Sequence, residues 1–304
     1  MISKQSPTDI EGIYDSYLNE LQDKNRRERY EGMESWYHAS GAGSCSRKLY
    51  FESVEQIKPT SVFDERTKRL LQLGNLIHDD VQKSLTHARA LHRDISIDNT
   101  QLKKEIKNKE KDVEFLVEGE VKIDELNVRG FYDIVAKHTD DDKRIYLYDI
   151  KTCGAWSWKM KFGRKKTLNP SIHYELQLGT YGYALKQQFG QLDGMFLYYY
   201  NKDDSKMKCV EVPLTYISRA YLFWKNINDE HKQGLPQFRT GVSPVQKWQC
   251  NYCQFREHCN PQRKGVNMSN TKQSTFMKLF KTDVSEYTQK KGRWCLYFIN
   301  KATQ

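Results

Sequence analysis

The spacing of apolar residues along the chain changes from helical to strand-like and back. Apolar side chains recur every three or four positions in some stretches, which predicts amphipathic helices, and every second position in others, which predicts strands. The helical stretches are 10–21, 46–52, 63–85, 171–189 and 216–232, and the strand-like stretches are 113–123, 127–137, 144–152, 194–200 and 206–214. This order predicts one α/β domain with a mixed sheet and helical additions.

Polar residues mark where several elements begin and end. Ser6 and Pro7 are typical of a helix N-cap and of the first helical position, and the charged stretch 24–31 is expected to end the first helix. Residues 101–112 are mostly Lys, Glu and Asn, which indicates a solvated connection.

Composition and charge narrow the classes of function. The chain has 304 residues, 38% of them hydrophobic, so a sizeable core is expected and wholesale disorder is excluded. Lys and Arg (49) outnumber Asp and Glu (39), and the net charge of +10 favours a polyanionic partner. No apolar run approaches the roughly 18 residues of a membrane-spanning helix. The first thirty residues lack the apolar segment of a secretory signal, so a cytoplasmic location, bacterial or in a phage-infected cell, is expected.

Two acidic residues and a lysine lie on strands that are predicted to be neighbours. If 127–137 and 144–152 pair antiparallel, residues of equal parity point to the same face, and Asp133, Asp149 and Lys151 converge. Two carboxylates this close repel each other unless a cation lies between them, and Mg²⁺ prefers such oxygen ligands. We interpret the group as a metal site, with a surface ion pair as the alternative.

A metal ion at this position suits phosphodiester hydrolysis, because it lowers the pKa of a bound water. Lys151 would orient that water and counter the charge that builds on the phosphorus. His78, on the preceding predicted helix, is a candidate further ligand. The alternative for His78 is an ordinary histidine on a helix face.

The cysteines are unevenly distributed. Three of the seven, Cys250, Cys253 and Cys259, lie close together without an export signal, which favours metal ligation over disulfides. A fourth ligand would come from Cys45, in a small-residue loop, or from His258, which would make a zinc site. Spacing alone does not choose iron–sulfur over zinc. The remaining cysteines are interpreted as small buried side chains: Cys153, Cys209 and Cys295.

A basic stretch with aromatic residues follows Lys151. Cations pair with phosphates and aromatic rings stack on bases, so this composition suits a single-stranded nucleic acid. A solvated loop whose aromatic residues pack on the core is the alternative. The basic residues of this predicted loop are Lys159, Lys161, Arg164, Lys165 and Lys166, and the aromatic ones are Trp156, Trp158 and Phe162.

Taken in order, these residues resemble the motifs of the PD-(D/E)XK nuclease superfamily, and specifically its RecB-like branch with an iron–sulfur cluster, which includes the CRISPR-adaptation nucleases. The resemblance covers roughly residues 40–262, and its six motifs occur in the order of the family. They are Cys45-Ser46-Arg47-Lys48-Leu49-Tyr50, Gly74-Asn75-Leu76-Ile77-His78, Gly130-Phe131-Tyr132-Asp133, Asp149-Ile150-Lys151, Gln177-Leu178-Gly179-Thr180-Tyr181, and the cysteines at 250, 253 and 259.

The resemblance implies roles for individual residues. The ligands of Mg²⁺ or Mn²⁺ would be His78, Asp133, Asp149 and the Ile150 carbonyl, with Lys151 catalytic beside the two aspartates. A [4Fe–4S] cluster is implied, with zinc as the alternative, on Cys45, Cys250, Cys253 and Cys259. Nucleic-acid contacts are expected from Arg47, Lys159 and Lys161, and Gln177 and Tyr181 would contact the nucleic acid or order the site.

The resemblance also implies an architecture. The expected fold is a restriction-endonuclease-like core, a mixed central sheet flanked by helices, with helical N-terminal and iron–sulfur C-terminal additions. A single nuclease domain is expected over 1–265, followed by a basic tail over 266–304. The expected parts of that domain are a helical N-terminal lobe (1–60), the nuclease core (61–235) and the cysteine segment (236–265).

The function implied by this family is that of a metal-dependent DNA exonuclease, acting 5′ to 3′ on single-stranded ends in DNA recombination, repair or replication. One alternative is a non-catalytic iron–sulfur or zinc protein that binds DNA ends, and another is a zinc-ribbon adaptor. The sequence leaves three alternatives open. The substrate could have duplex ends, the chain could form a homo-oligomer, and a recombination or replication protein could be its partner.

Overall fold

The strands of the computed structural model form one mixed sheet with helices packed against it. The structure describes residues 8–30, 35–59, 63–94, 113–139, 143–163, 172–237 and 247–259. Its helices are α1 (Ile10–Tyr30), α2 (Ser46–Leu49), α3 (Glu65–Asp94), α4 (Ala155–Phe162), α5 (Ile172–Phe189), α6 (Thr215–His231) and α7 (Lys247–Asn251). Its strands are β1 (Tyr37–His38), β2 (Val113–Ile123), β3 (Val128–His138), β4 (Ile145–Cys153), β5 (Gly194–Asn201) and β6 (Met207–Val212).

Strand β3 has partners along both of its edges. On one edge β2 pairs antiparallel along the length of β3, from Val113 opposite His138 to Ile123 opposite Val128. The other edge is shared, because β1 pairs parallel with its beginning and β4 pairs antiparallel with residues 134–137. β4 then pairs parallel with β5, and β5 pairs antiparallel with β6. The predicted three-strand meander and the predicted hairpin are confirmed.

The core lies between the sheet and the helices α5 and α6. The alternation of buried and less buried residues along β3 and β4 reflects the strand period of two, which turns every second side chain toward these helices. The largest fully buried side chains include Phe223, Trp224, Leu147, Leu176 and Leu185. A mixed central sheet flanked by helices is therefore confirmed.

Helix α3 crosses the sheet, and its successive turns contact successive strands. This is possible because one helical turn rises about 5.4 Å, close to the spacing of neighbouring strands of about 4.8 Å. The contacts are Gln82 with Glu118 of β2 (2.9 Å), His78 with Asp133 of β3 (3.5 Å), and the Leu70 carbonyl with Lys202 after β5 (3.2 Å). At Gly74 a Cβ would lie 3.1 Å from Thr152 of β4, so a small residue suits that turn.

Three details of the chain differ from the sequence prediction. α1 begins after Asp9, whose Oδ1 accepts the Gly12 N–H at 3.0 Å, and Ser6 and Pro7 lie outside the described residues. α1 also continues to Tyr30 through the charged stretch, because Lys, Arg and Glu are good helix formers. Residues 155–162, predicted as a loop, form α4.

Other sequence predictions fall outside the described residues. These are the solvated connection at 101–112, the basic residues at 164–166, Cys295 and the tail at 266–304. Within the described ranges, no helix combines the length and the apolar character needed to cross a membrane.

Candidate active site

The strands β3 and β4 separate at the point where the acidic residues lie. Their ladder ends at the pair Ile134–Tyr148, although β4 continues to Cys153 alongside β5. Beyond that pair, Asp133 Oδ2 accepts the Ile150 N–H at 2.6 Å. The Asp133 carboxylate thus accepts the hydrogen bond that a main-chain carbonyl of β3 would otherwise accept. At this end of the two strands, side chains of α3 and α5 contact those of β3 and β4.

Asp149 is fully buried beside a cation. Its side chain is 1% exposed, and its Oδ2 lies 2.6 Å from the Lys151 ammonium. The other oxygen, Oδ1, is buried and has no hydrogen-bond partner among the described residues. Burial raises the pKa of Asp149 to about 6, although Lys151 opposes this effect. A buried carboxylate oxygen without a partner is costly, and it is an open position for a ligand.

Lys151 is held from three directions. Besides Asp149, its ammonium donates to Gln177 Oε1 at 3.1 Å, and it lies 4.9 Å from the centre of the Tyr174 ring. Gln177 is in turn fixed by donating to the Tyr181 hydroxyl at 2.9 Å. Burial alone would lower the pKa of Lys151, but the neighbouring carboxylates outweigh burial and raise it. Lys151 is therefore charged at neutral pH.

His78 reaches the same group from α3. Its Nδ1 lies 3.5 Å from Asp133 Oδ2, and its side chain is half-buried. Burial lowers the pKa of His78, and Lys151 lowers it further. The imidazole is therefore neutral at neutral pH, the form in which histidine binds metals.

The chemistry of these side chains fits a hard divalent ion. Two carboxylates with one partnerless oxygen and a neutral imidazole are donors that Mg²⁺ or Mn²⁺ accepts. As they stand, no group of three or more His, Cys, Asp or Glu side chains in the described residues is close enough to hold a metal. Metal binding therefore stays a prediction.

The chain matches the family profile of the PD-(D/E)XK nuclease superfamily over residues 35–260. It belongs to this superfamily. The residues that resemble the acidic residue and the Asp-x-Lys element of this superfamily, Asp133 and Asp149-Ile150-Lys151, lie where β3 and β4 separate.

Two solved structures are similar to this chain, and both are distant in sequence. The crystal structure of SSO0001 has 17% identity and a TM-score of 0.41, and the match covers 82% of this chain and 96% of that chain. A protein of Eubacterium rectale, named as a candidate exonuclease, has 11% identity and a TM-score of 0.40, with 73% and 91% covered. No curated protein sequence matches the nuclease.

The cysteine segment packs on the small-residue loop that precedes Cys45. Gln249 of α7 donates to the Gly43 carbonyl at 3.0 Å, and the Phe255 ring lies 6.0 Å from that of Phe51. Gly43 has a φ of +75°, and a Cβ there would lie 2.9 Å from the backbone of His173 in α5, so only glycine suits this position. The segment 247–259 therefore meets a loop that lies about 206 residues earlier in the chain.

The proposed cluster cysteines lie in this packing, but as they stand no three of them in the described residues are close enough together to hold a metal. Burial raises the pKa of Cys253, and the nearby thiols of Cys45 and Cys259 raise it further. Cys250 lies in the same turn as Cys253, because the Cys250 carbonyl accepts the Cys253 N–H at 3.5 Å. The iron–sulfur cluster itself stays a prediction, as does its zinc alternative with His258, whose ring lies beside Phe51 and Phe255.

The basic and aromatic residues of α4 divide into two groups. Trp158 and Phe162 pack against the core, and Lys161 lies over the Tyr199 ring at 4.7 Å, where burial lowers the pKa of its ammonium. Trp156 is 73% exposed and Lys159 is also exposed. Trp158 and Phe162 therefore fit the alternative in which aromatic residues pack on the core, and nucleic-acid binding by Trp156 and Lys159 stays a prediction.

Two further predicted nucleic-acid contacts lie inside the protein. Gln177 and Tyr181 are buried and order the site through Lys151, in line with the second role considered for them. The Arg47 guanidinium lies over the Phe51 ring at 6.0 Å, next to Cys45.

Tyr174, which contacts Lys151, was not among the predicted site residues. It lies one turn before Gln177, and helical spacing from that motif would have indicated it.

Proposed function

We propose that this protein is a metal-dependent DNA exonuclease that hydrolyses single-stranded ends 5′ to 3′ in DNA recombination, repair or replication. Membership of the nuclease superfamily supports hydrolysis of a phosphodiester. The observation that carries the proposal is the buried, partnerless Oδ1 of Asp149 beside the Lys151 ammonium. The polarity and the preference for ends rest on the resemblance to the RecB-like branch.

The residues of the site have two proposed roles, metal binding and stabilisation of charge on the phosphate. His78, Asp133, Asp149 and the Ile150 carbonyl would hold Mg²⁺ or Mn²⁺, which supplies Lewis-acid activation of water when bound. Lys151, charged and aimed by Gln177, stabilises negative charge as it develops on the phosphate. Because the ammonium is already oriented, little reorganisation is needed during the reaction.

Asp149→Asn tests this assignment directly, because asparagine keeps the shape of the side chain and removes its charge. We expect a loss of at least about a hundredfold in Mn²⁺-dependent release of nucleotides from single-stranded DNA labelled at either end. Labelling the 5′ and 3′ ends separately reports polarity in the same assay.

Asp204→Asn is the matched control, since Asp204 is an acidic residue of the exposed turn after β5. It should digest DNA like the wild type. Equal activity of Asp149→Asn and the wild type would contradict the proposal. DNA binding without digestion by the wild type would favour a non-catalytic protein that binds DNA ends.

Single-stranded DNA as substrate is supported by the exposed part of α4, which begins two residues after Cys153, the last residue of β4. The Trp156 ring can stack on a base and Lys159 can pair with a phosphate. Trp156→Ala with Lys159→Gln should weaken binding to a labelled single strand and flatten its salt dependence. Lys232→Gln removes an exposed ammonium from the end of α6 as the control. An unchanged salt slope in the double variant would contradict this assignment.

We further propose a structural [4Fe–4S] cluster on Cys45, Cys250, Cys253 and Cys259. The contact between Gln249 and Gly43 supports it, because it brings the segment with Cys250, Cys253 and Cys259 beside the loop that precedes Cys45. A link between Cys45 and Cys259 would close a loop of about 200 residues and reduce the entropy of the unfolded chain. The cluster would therefore act as a clamp between the two ends of the domain.

Anaerobic purification tests the clamp. The wild type should contain iron and sulfide and absorb visible light, and Cys253→Ala should lose the colour and unfold at a lower temperature. Cys209 was predicted to be buried, but it is exposed on β6, so Cys209→Ala is the control and should keep both. Zinc without iron would favour the zinc alternative, and a colourless Cys253→Ala with normal melting would contradict the clamp.

A further inference from the structure

Strand β2 contains a strained residue next to the candidate active site. Glu118 has a φ of +51°, and among the described residues it is the only one inside a strand with a positive φ. A residue with a Cβ adopts this conformation at a cost, and such residues cluster at active sites. The antiparallel ladder with β3 pairs the residues on either side of Glu118 with Ile134 and Tyr132, so Glu118 lies opposite Asp133.

Helix α3 connects Glu118 to the site. Gln82, which is buried, donates to Glu118 Oε1 at 2.9 Å and to the Asp133 carbonyl at 3.3 Å. His78, which contacts the Asp133 carboxylate, precedes Gln82 by one turn on the same side of α3. Burial is the main cause that lowers the pKa of His78, and the charge of Glu118 is among those that raise it. The Glu118 carboxylate is therefore close enough to His78 to act on its charge.

The neighbouring Asp149 shows that this site has room for a ligand. Asp149 Oδ1 is buried without a hydrogen-bond partner among the described residues. Glu118 is exposed, so its carboxylate does not carry the cost of burial that Asp149 does. A hard cation such as Mg²⁺ keeps several waters when it binds to a protein, and an exposed carboxylate can accept hydrogen bonds from them. A third carboxylate can therefore attract a cation at Asp133 and Asp149 without leaving the solvent.

We propose that Glu118 is a further cation-binding residue of this site, which acts on Mg²⁺ or Mn²⁺ through the waters bound to the ion. Gln82 orients the carboxylate, and the strained backbone places Glu118 opposite Asp133. Glu118 lies outside the six motifs that indicate the family, so no motif marks it. The proposal rests on the proposed cation site at Asp133 and Asp149.

Calorimetric titration of the full chain with Mn²⁺, without DNA, tests this role. Glu118→Gln keeps the length of the side chain and an oxygen that can accept from Gln82, and it removes the charge. We expect the dissociation constant of Mn²⁺ to rise about three- to tenfold. Glu114→Gln is the matched control, because Glu114 lies farther along the same strand, opposite Lys137, and this variant should bind Mn²⁺ like the wild type.

Glu118→Gly separates a role in cation binding from a role in stability. Glycine adopts a positive φ without the steric cost of a Cβ, so the unfolding temperature of the metal-free protein should stay the same or rise. The dissociation constant of Mn²⁺ should nevertheless rise about as much as in Glu118→Gln. A residue that only supports the fold would give the opposite result, a lower unfolding temperature with unchanged affinity, and that result would overturn the proposal.

Asp149→Asn distinguishes failure of this proposal from failure of the cation site itself. If the wild type binds Mn²⁺ and Asp149→Asn does not, the cation site is present. Unchanged affinity in Glu118→Gln, or an equal loss in Glu114→Gln, would then overturn the role of Glu118 alone. A wild type that does not bind Mn²⁺ would overturn both the cation site and this role.

Discussion

The Lys151 ammonium lies 4.9 Å from the centre of the Tyr174 ring, in addition to its contacts with Gln177 and Asp149. The face of an aromatic ring attracts a cation, with a contribution of about 0.5 to 2 kcal/mol depending on desolvation. We therefore expect Tyr174 to help position Lys151.

Two substitutions of Tyr174 distinguish the contribution of its ring from that of its hydroxyl. Tyr174→Leu removes the aromatic face, and we expect kcat to fall about two- to thirtyfold, the rate equivalent of that interaction. Tyr174→Phe keeps the ring and should retain most of the activity. Single-turnover digestion with Mn²⁺ measures both, and an equal loss in the two variants would assign the effect to the hydroxyl.

Gln177 orients Lys151 by a hydrogen bond that leucine cannot make. Gln177→Leu should lower kcat by about ten- to a hundredfold, because a misplaced catalytic group loses its alignment with the substrate. Tyr181→Phe, which removes only the partner of Gln177 Nε2, should cost less. A larger loss in Tyr181→Phe than in Gln177→Leu would show that Lys151 does not depend on Gln177.

Metal binding should depend on pH through Asp149. Burial raises its pKa to about 6, so as pH falls through this value the carboxyl binds a proton and loses its affinity for a cation. We expect Mn²⁺ affinity, measured by calorimetry without DNA, to fall about tenfold per unit below about pH 6. Constant affinity between about pH 8 and about pH 5 would exclude Asp149 as a ligand.

Gly179 allows the backbones of α5 and α6 to approach. A Cβ at this position would lie 2.3 Å from the Tyr216 carbonyl oxygen, which is part of the main chain and cannot move alone. Gly179→Ala should therefore lower the free energy of unfolding by about 1 to 3 kcal/mol in urea titrations, despite the better helix propensity of alanine.

Gly182→Ala is the comparison for that substitution. Its Cβ would meet the Met195 sulfur at 2.6 Å, the flexible part of a side chain that can move aside. It should cost less than Gly179→Ala. The reverse order would show that the two helices can separate easily at Tyr216.

Sequence pattern predicted the sheet well because its signals are local. The periods of two in 113–152 and 194–214 gave the central strands within one or two residues, since alternating burial fixes which side chains face the core. β1 was not predicted, because two residues carry no period. α4 was not predicted either, since packing of Trp158 and Phe162 on the core stabilises a short helix whose exposed side is basic.

The sequence by itself determined the order of the elements, the family motifs and the equal parity of Asp133, Asp149 and Lys151, because these depend on residue type and chain spacing. Only the tertiary structure decided that β3 and β4 separate beside Asp133, that Tyr174 covers Lys151, and that the segment after residue 247 meets the loop at Gly43. These relationships join residues far apart in the chain, and they arise from the packing of whole helices and strands, which no local pattern contains.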